Sequence, residues 1–251
     1  MEQLFAAQIK GSPFDLFGPG HLAAIGLLLL TIISLPLIRK YWGERERTIF
    51  RYSLIAWMFG WEIAWQVWSY TNGIWSIQTH LPFHICALFS WLSMYMLWTK
   101  DYRVYELAYF AGIGGAMQAV FTPDTGGLGF PHFRAFQIFA SHGGIIIACL
   151  YMTIVEGYRP TLKSFKQIIV WANIYMVFIL IVNMILGSNY LFISYKPTDF
   201  YSVLDILAPW PWYILELEAI GIAIFALLYL PFLIKDLRRT RGQARHETQK
   251  A

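Results

Sequence analysis

The sequence predicts an all-α polytopic membrane protein with seven transmembrane helices, an outer N-terminus and a cytoplasmic C-terminus. Three observations lead to this prediction: the composition, the lengths of the apolar runs and the distribution of basic residues. The chain is 57% hydrophobic and only 14% charged, whereas about 25% of the residues in soluble domains are charged. A membrane-embedded chain is therefore expected.

Seven apolar runs give the predicted helices, because an α-helix of about 17 to 25 residues crosses a hydrocarbon core of about 30 Å. In chain order the runs are Leu22–Tyr41, Ile49–Tyr70, Pro82–Trp98, Val104–Thr122, Ala135–Glu156, Lys166–Gly187 and Pro211–Lys235. The loops between them are short. Residues 1–235 are therefore expected to form a single transmembrane domain, followed by a basic cytoplasmic tail at 236–251.

The basic residues predict the orientation of these helices. Of the nineteen Lys and Arg residues, all except Lys10, Arg134 and Lys196 lie in alternate gaps between the runs, in the ends of the runs that border these gaps, or in the tail. Lys and Arg concentrate on the cytoplasmic side of membrane proteins. This bias also explains the net charge of +4 through attraction to anionic lipid, so membrane lipids are expected partners and nucleic acid is not.

Polar side chains concentrate in the outer halves of the predicted helices, where they are costly in lipid and usually mark a site. In chain order they are Glu62, Gln66, His84, Cys86, Gln118, Arg134, Gln137, His142, Asn183, Asp205 and Glu216. Their shared depth predicts a hydrated cavity that opens to the outside. The simpler alternative is a set of interhelical hydrogen bonds that hold the bundle together.

Helical spacing predicts which of these residues share a face. Glu62 and Gln66 are four positions apart, and Arg134, Gln137 and Ser141 follow an i, i+3, i+7 pattern. The small-residue run AGIGGA at 111–116 favours close packing of the fourth helix. No CxxC pair occurs, and His80 and His84, the one pair with HxxxH spacing, are interpreted together with His132 as interfacial histidines. Neither a metal site nor a cofactor is therefore expected.

Longer motifs carry a family resemblance from the second helix to the end of the seventh. They are LPFHICAL (81–88), ELAYFAG (106–112), QAVFTPD (118–124), GFPHFRAFQIFASHG (129–143), NMILGSNY (183–190), KPTDFYSVLDILAPWPWYILELE (196–218) and LYLPF (228–232). Together they resemble the YwaF-type family of bacterial integral membrane proteins. This resemblance implies a multi-pass protein of the bacterial plasma membrane.

The YwaF-type family is in turn similar to a eukaryotic multi-pass acyltransferase family that acts on ether phospholipids. There, a membrane-embedded cysteine and a histidine are the proposed catalytic pair. By position, the resemblance implies Cys86 as the nucleophile and His142 as the base, with His84 as a second candidate for the base. The alternative interpretation of Cys86 is a small residue packed at a helix contact.

Two main functional hypotheses follow. The first is a phospholipid acyltransferase, or a hydrolase that forms a thioester, with the Cys86–His142 pair. The second is a non-catalytic transporter or sensor that binds a small polar or zwitterionic ligand from outside, with Glu62, Arg134, Asp205 and Glu216 as the charged partners of that ligand. A membrane partner for a client protein is a third hypothesis, for which the sequence specifies no client.

Overall fold

Helices make up nearly all of the structure, a computed structural model that describes residues 2–7, 13–197 and 203–248. The protein is 75% helical, and the described residues contain no strand. The helices are α1 Glu2–Phe5, α2 Pro19–Tyr41, α3 Glu44–Thr71, α4 Ile85–Thr99, α5 Tyr102–Leu107, α6 Ile113–Phe121, α7 Phe133–Ile154, α8 Leu162–Leu186 and α9 Tyr213–Thr248. The all-α prediction is confirmed.

Local sequence signals mark several helix ends. The Asp101 carboxylate accepts the free N–H groups in the first turn of α5, and Thr161 and Ser164 form a reciprocal capping box at the start of α8. Gly187 ends α8 in the left-handed conformation, with φ of 64°, where a glycine avoids the strain that a Cβ would cause. These caps place the starts of α5 and α8, at Tyr102 and Leu162, close to the predicted starts of the corresponding apolar runs.

A π-helical turn at Ala108–Gly112 separates α5 from α6 within the predicted fourth helix. The wider turn changes the backbone hydrogen-bond pattern, and the buried Cys149 thiol on α7 donates to the Ala108 carbonyl at 3.3 Å. Cys149 is therefore packed and hydrogen-bonded in the core.

Helix α7 occupies the centre of the bundle and packs against α2, α3, α4 and α6. In its apolar window 67% of residues are buried, against 17% in α2 and α8 and 6% in α9. Gly144 permits the close contact with α3, since a Cβ there would lie 2.9 Å from the Met58 side chain. The peripheral helices instead present large exposed apolar side chains, which contact membrane lipid.

Four helices, namely α2, α7, α8 and α9, are long and apolar enough to cross a membrane. The other three predicted spans differ from them for separate reasons. Helix α3 carries charged and amide residues along its length, α4 has only 15 residues, and the π-helical turn divides the segment from Tyr102 to Phe121. The seven crossings and their orientation stay predictions.

Arginine side chains cap the carboxyl ends of three helices at one end of the bundle. Arg39 donates to the carbonyl of Ile154 at the end of α7, and Arg47 donates to the carbonyl of Arg39 near the end of α2. Arg51 donates to the carbonyl of Trp98 near the end of α4. Free carbonyls at helix ends attract cations. The basic residues that predict a cytoplasmic end thus also satisfy backbone groups there.

The predicted tail does not begin at a helix end, because α9 continues to Thr248. Residues 249–251 lie outside the described residues, as does Lys10, one of the three basic residues assigned to the outer side.

Candidate functional site

Cys86 lies in the first turn of α4, closer to the helix N-terminus than the apolar run predicts. Residues 82–84 precede the helix, and His84 is its N-terminal cap. Cys86 is half-buried and approaches the backbone of α6 closely, since a Cβ on Gly115 would lie 3.2 Å from its Sγ. The small-residue run at 111–116 therefore leaves space for the Cys86 thiol.

His142 lies on α7 at about the same level as Cys86. A Cβ on Gly112 would lie 3.2 Å from the Ile145 side chain of α7, and one turn further along the chain Gly115 meets Cys86. Because α6 and α7 run in opposite directions, one turn forward from Gly112 to Gly115 corresponds to one turn back along α7, from Ile145 to His142. Residues three apart share a helix face. Cys86 and His142 therefore belong to one layer of the bundle at the junction of α4, α6 and α7.

The His142 imidazole has one nitrogen engaged and one free of hydrogen bonds to the described residues. Its Nδ1 bonds to the carbonyl of Ile138 at 2.8 Å. A carbonyl can only accept, so Nδ1 carries the proton and Nε2 holds a lone pair. No hydrogen bond within the described chain joins the Cys86 thiol to an imidazole. The Cys86 thiol and the His142 imidazole therefore lie at a similar level in the bundle but are not hydrogen-bonded to each other.

His84 points away from Cys86, towards the loop after α8. Its ring lies 5.2 Å from that of Tyr190 and 5.1 Å from that of Phe192, centroid to centroid. Its Nδ1 accepts the backbone N–H of Leu191 at 3.4 Å. His84 therefore positions the 190–192 turn.

Arg134, Gln137 and Ser141 form a continuous hydrogen-bonded row on α7, in agreement with their spacing. The Arg134 guanidinium donates to the Gln137 side-chain oxygen, and the Gln137 amide donates to Ser141 Oγ at 3.1 Å. The same guanidinium lies 4.1 Å from the Trp65 ring centroid on α3. The sequence alone gave no indication that Trp65 pairs with Arg134.

Glu62 and Gln66 follow the same face of α3 but serve different neighbours. The buried Glu62 carboxyl faces Gln66 and Ser90 of α4. The Gln66 amide donates to the His80 carbonyl at 3.3 Å and accepts from Trp75 Nε1 at 2.7 Å. Gln66 thus holds the loop that follows α3.

The remaining predicted site residues are not gathered around Cys86. Gln118 is exposed near the end of α6, and Asp205 is exposed in a short 3₁₀ turn. The Glu216 carboxylate is exposed and accepts the backbone N–H of Ala208 at 2.7 Å. The buried Asn183 side chain binds the backbone N–H and C=O of Tyr190, closing the turn after α8. The predicted polar set therefore divides into separate groups.

A cavity of 720 Å³ lies between α2, α3 and α7, and its walls are almost entirely apolar. Trp57, Phe139 and Gly143 are among its lining residues, and none of the predicted site residues lines it. No group of three or more His, Cys, Asp or Glu side chains in the described ranges could hold a metal ion.

In a comparison with known protein families, a model of the TMEM164 family matches residues 16–229. The chain belongs to the TMEM164 family. This is a membrane protein family, in agreement with the apolar helices of the structure. No curated protein and no solved structure matches the TMEM164-family chain.

Two features of this TMEM164-family protein escaped sequence reasoning, which interpreted His80 and His132 as interfacial. The His80 ring stacks on Trp65, with centroids 5.3 Å apart. His132 caps α7 by accepting the Arg134 backbone N–H at its Nδ1, while its Nε2 binds the carbonyl of Ala6. In the sequence, the only sign of this cap is a polar residue before an apolar run. Histidine is uncommon as an N-terminal cap, so the sign is weak.

Lowering the pH is expected to destabilise this TMEM164-family protein through His132. Burial lowers the pKa of His132 below its ordinary value of 6.5, and the bond to Ala6 opposes that shift. Above pH 6.5 the ring is neutral in both states. As the pH falls below 6.5 the unfolded chain binds a proton first, so unfolding is favoured. The unfolding temperature should therefore fall between pH 7 and pH 5.

The replacement His132→Asn provides the control, because asparagine preserves the helix cap and does not titrate. The pH dependence of its unfolding temperature should be shallower than that of the unmodified protein. Parallel curves for the two proteins would show that His132 does not contribute.

Proposed function

We propose that the seven helical segments α2, α3, α4, α5–α6, α7, α8 and α9 each cross the plasma membrane of a bacterium, with the N-terminus outside. The 20-residue stretch from Tyr102 to Phe121 spans about 30 Å at 1.5 Å per residue, so the π-helical turn does not make it too short. The clustering of helix-capping arginines at one end supports a common cytoplasmic side.

We further propose that the protein is a membrane-embedded lipid acyltransferase with Cys86 as nucleophile and His142 as general base. The observation that supports this most is the contact of Cys86 with Gly115, at the level of a His142 imidazole whose Nε2 makes no hydrogen bond to the described residues. A thiol nucleophile needs a base within reach.

The position of Cys86 in the first turn of α4 adds a second argument. The free N–H groups and positive dipole end of a helix N-terminus favour a thiolate. The apolar surroundings of the half-buried thiol oppose ionisation, because burial disfavours the charged form. A base is therefore needed at the moment of attack, and hydrogen bonds of this type often tighten only when substrate is bound.

In the proposed reaction, His142 Nε2 takes the Cys86 proton and the thiolate attacks the ester carbonyl of a donor lipid. The C–O bond breaks, and the leaving alkoxide takes the proton from His142. An acceptor hydroxyl then gives its proton to His142 and attacks the Cys86 thioester. The C–S bond breaks and the thiolate regains its proton. The acyl chain has moved from one hydroxyl to another, and no further reactant is required.

The transporter or sensor hypothesis receives less support. It requires Glu62, Arg134, Asp205 and Glu216 to surround one ligand. Glu62 is buried between α3 and α4, whereas Asp205 is exposed in a 3₁₀ turn and Glu216 is exposed in the first turn of α9.

Covalent labelling tests the acyltransferase proposal. The purified protein is incubated with phospholipid, and the adduct is located by mass spectrometry before and after hydroxylamine, which cleaves thioesters. We expect an acyl thioester on Cys86, none in Cys86→Ala, and normal labelling in Cys149→Ala, the matched control for the other thiol. Labelling that is absent from folded protein, or that occurs only on Cys149, would contradict the proposal.

A further inference from the structure

Arg134 is a half-buried cation without a nearby carboxylate. Its guanidinium donates to the Gln137 side chain and, at 3.2 Å, to the backbone carbonyl of Asp124. It forms no salt bridge within the described chain. The Asp124 side chain is exposed and accepts the N–H of Gly126, and its charge acts on Arg134 only from beyond salt-bridge distance. A buried charge is costly unless it is paired.

His80 supplies a second unsatisfied donor beside Arg134. Its Nδ1 accepts the backbone N–H of Ser76 at 3.2 Å, so the neutral ring carries its proton on Nε2. That Nε2 atom is sealed from solvent and has no hydrogen-bond partner among the described residues. Burial lowers the pKa of His80 below its ordinary value, the hydrogen bond with the Ser76 backbone opposes that shift, and the positive charge of Arg134 lowers the pKa further. The ring is thus held neutral, as an N–H donor.

Both donors lie against the same indole. The Arg134 guanidinium is 4.1 Å from the Trp65 centroid and the His80 ring is 5.3 Å from it. Gln66, one residue along α3, fixes the His80 loop by donating to the His80 carbonyl. The arrangement therefore offers donors but no anionic acceptor within hydrogen-bonding distance of the guanidinium.

We propose that Arg134 and His80 form an anion-binding site over Trp65, at the outer end of the bundle, for a phosphate or carboxylate group. A guanidinium matches the two oxygens of such a group with a planar fork of N–H donors, and an acceptor oxygen would also satisfy His80 Nε2. The anion is either a lipid headgroup or a free solute, because both carry the same chemistry. The site stands on its own contacts and does not depend on whether Cys86 reacts.

Thermal unfolding of the full-length protein in neutral detergent tests the proposal. One arm titrates inorganic phosphate against chloride at constant ionic strength. A second arm compares micelles that contain phosphatidic acid with micelles that contain diacylglycerol, which lacks the phosphate. A ligand that binds only the folded state raises the unfolding temperature. Stabilisation by phosphatidic acid alone identifies a lipid headgroup, and stabilisation by inorganic phosphate identifies a site open to free anions.

Variants assign the effect to the site. The apparent affinity should fall about tenfold to a hundredfold in Arg134→Gln and about tenfold in His80→Phe, which keeps a ring on Trp65. Arg103→Gln, at the opposite end and exposed, should bind as the unmodified protein does. Cys86→Ala should also bind normally, which separates this test from that of the acyltransferase. If Arg134→Gln does not fold, Arg134→Lys and the wild-type titration still decide the question.

Two outcomes overturn the proposal. One is that neither phosphate nor phosphatidic acid stabilises the wild-type protein beyond its control. The other is that the stabilisation is the same in the Arg134 and His80 variants as in the wild type.

Discussion

Replacing His142 by glutamine is expected to slow the formation of a Cys86 thioester from phospholipid by about 10²- to 10⁴-fold, the usual contribution of a positioned general base. Glutamine can still hydrogen-bond to the Ile138 carbonyl as His142 Nδ1 does, so the fold should persist. It cannot take a proton from the thiol. Single-turnover acylation with a fluorescent phospholipid, followed by quenching at intervals, measures the rate.

The pH profile distinguishes a base from a structural residue. Without the base, attack depends on thiolate that forms by itself, so the rate of His142→Gln should rise with pH over the range in which the wild-type rate is flat. His84→Gln is the matched control, because His84 contacts Tyr190 and Phe192 and not the thiol. An equal loss of rate in the two variants would show that His142 has no special role.

Replacing Gly115 by alanine is expected to damage both stability and thiol reactivity. The new Cβ would lie 2.9 Å from the Ile85 side chain and 3.2 Å from Cys86 Sγ, so these side chains or the start of α4 must shift. Overpacking of this kind costs about 1–3 kcal/mol. Moving a reacting group by about 1 Å can lower a rate by about 10²-fold. Unfolding temperature and the rate of Cys86 acylation are the two measurements.

Gly26→Ala separates this effect from that of helix propensity. Gly26 is also inside a helix, but a Cβ there would meet nothing within 4 Å. Alanine favours a helix by up to about 1 kcal/mol over glycine, so Gly26→Ala should be neutral or more stable. If Gly115→Ala behaves in the same way, then the close approach of α6 to Cys86 does not constrain the thiol.

The helices could be predicted from the sequence because helix formation depends on local properties of the chain. Apolar runs of the right length form helices wherever they lie, and most boundaries differed by only a few residues, as at Ile85. The exception is α9, which continues to Thr248, well past the predicted end at Lys235. The order of charged gaps likewise predicted one basic end, where Arg39, Arg47 and Arg51 now cap helices. The row from Arg134 to Ser141 followed from helical spacing alone.

The site could be predicted only in part, because depth along a helix does not give the direction in which a side chain points. His84 and Cys86 are two residues apart, yet the first contacts the turn after α8 and the second contacts α6. Asn183 has the depth of a cavity residue, but its amide is fully occupied in closing a turn at Tyr190.

The sequence by itself determined that this is a helical membrane protein with one strongly basic end, since length, composition and charge order are properties of the chain. The family match over residues 16–229 assigns it to the TMEM164 family, whereas the YwaF-type resemblance stays a prediction. Tertiary structure decided which distant residues meet. It brought Cys86 beside Gly115, at the level of His142, and it placed Trp65, His80 and Arg134 together. The physical reason is that helix packing depends on the shapes of whole faces, including glycines that let backbones approach, and no local pattern encodes which faces pair.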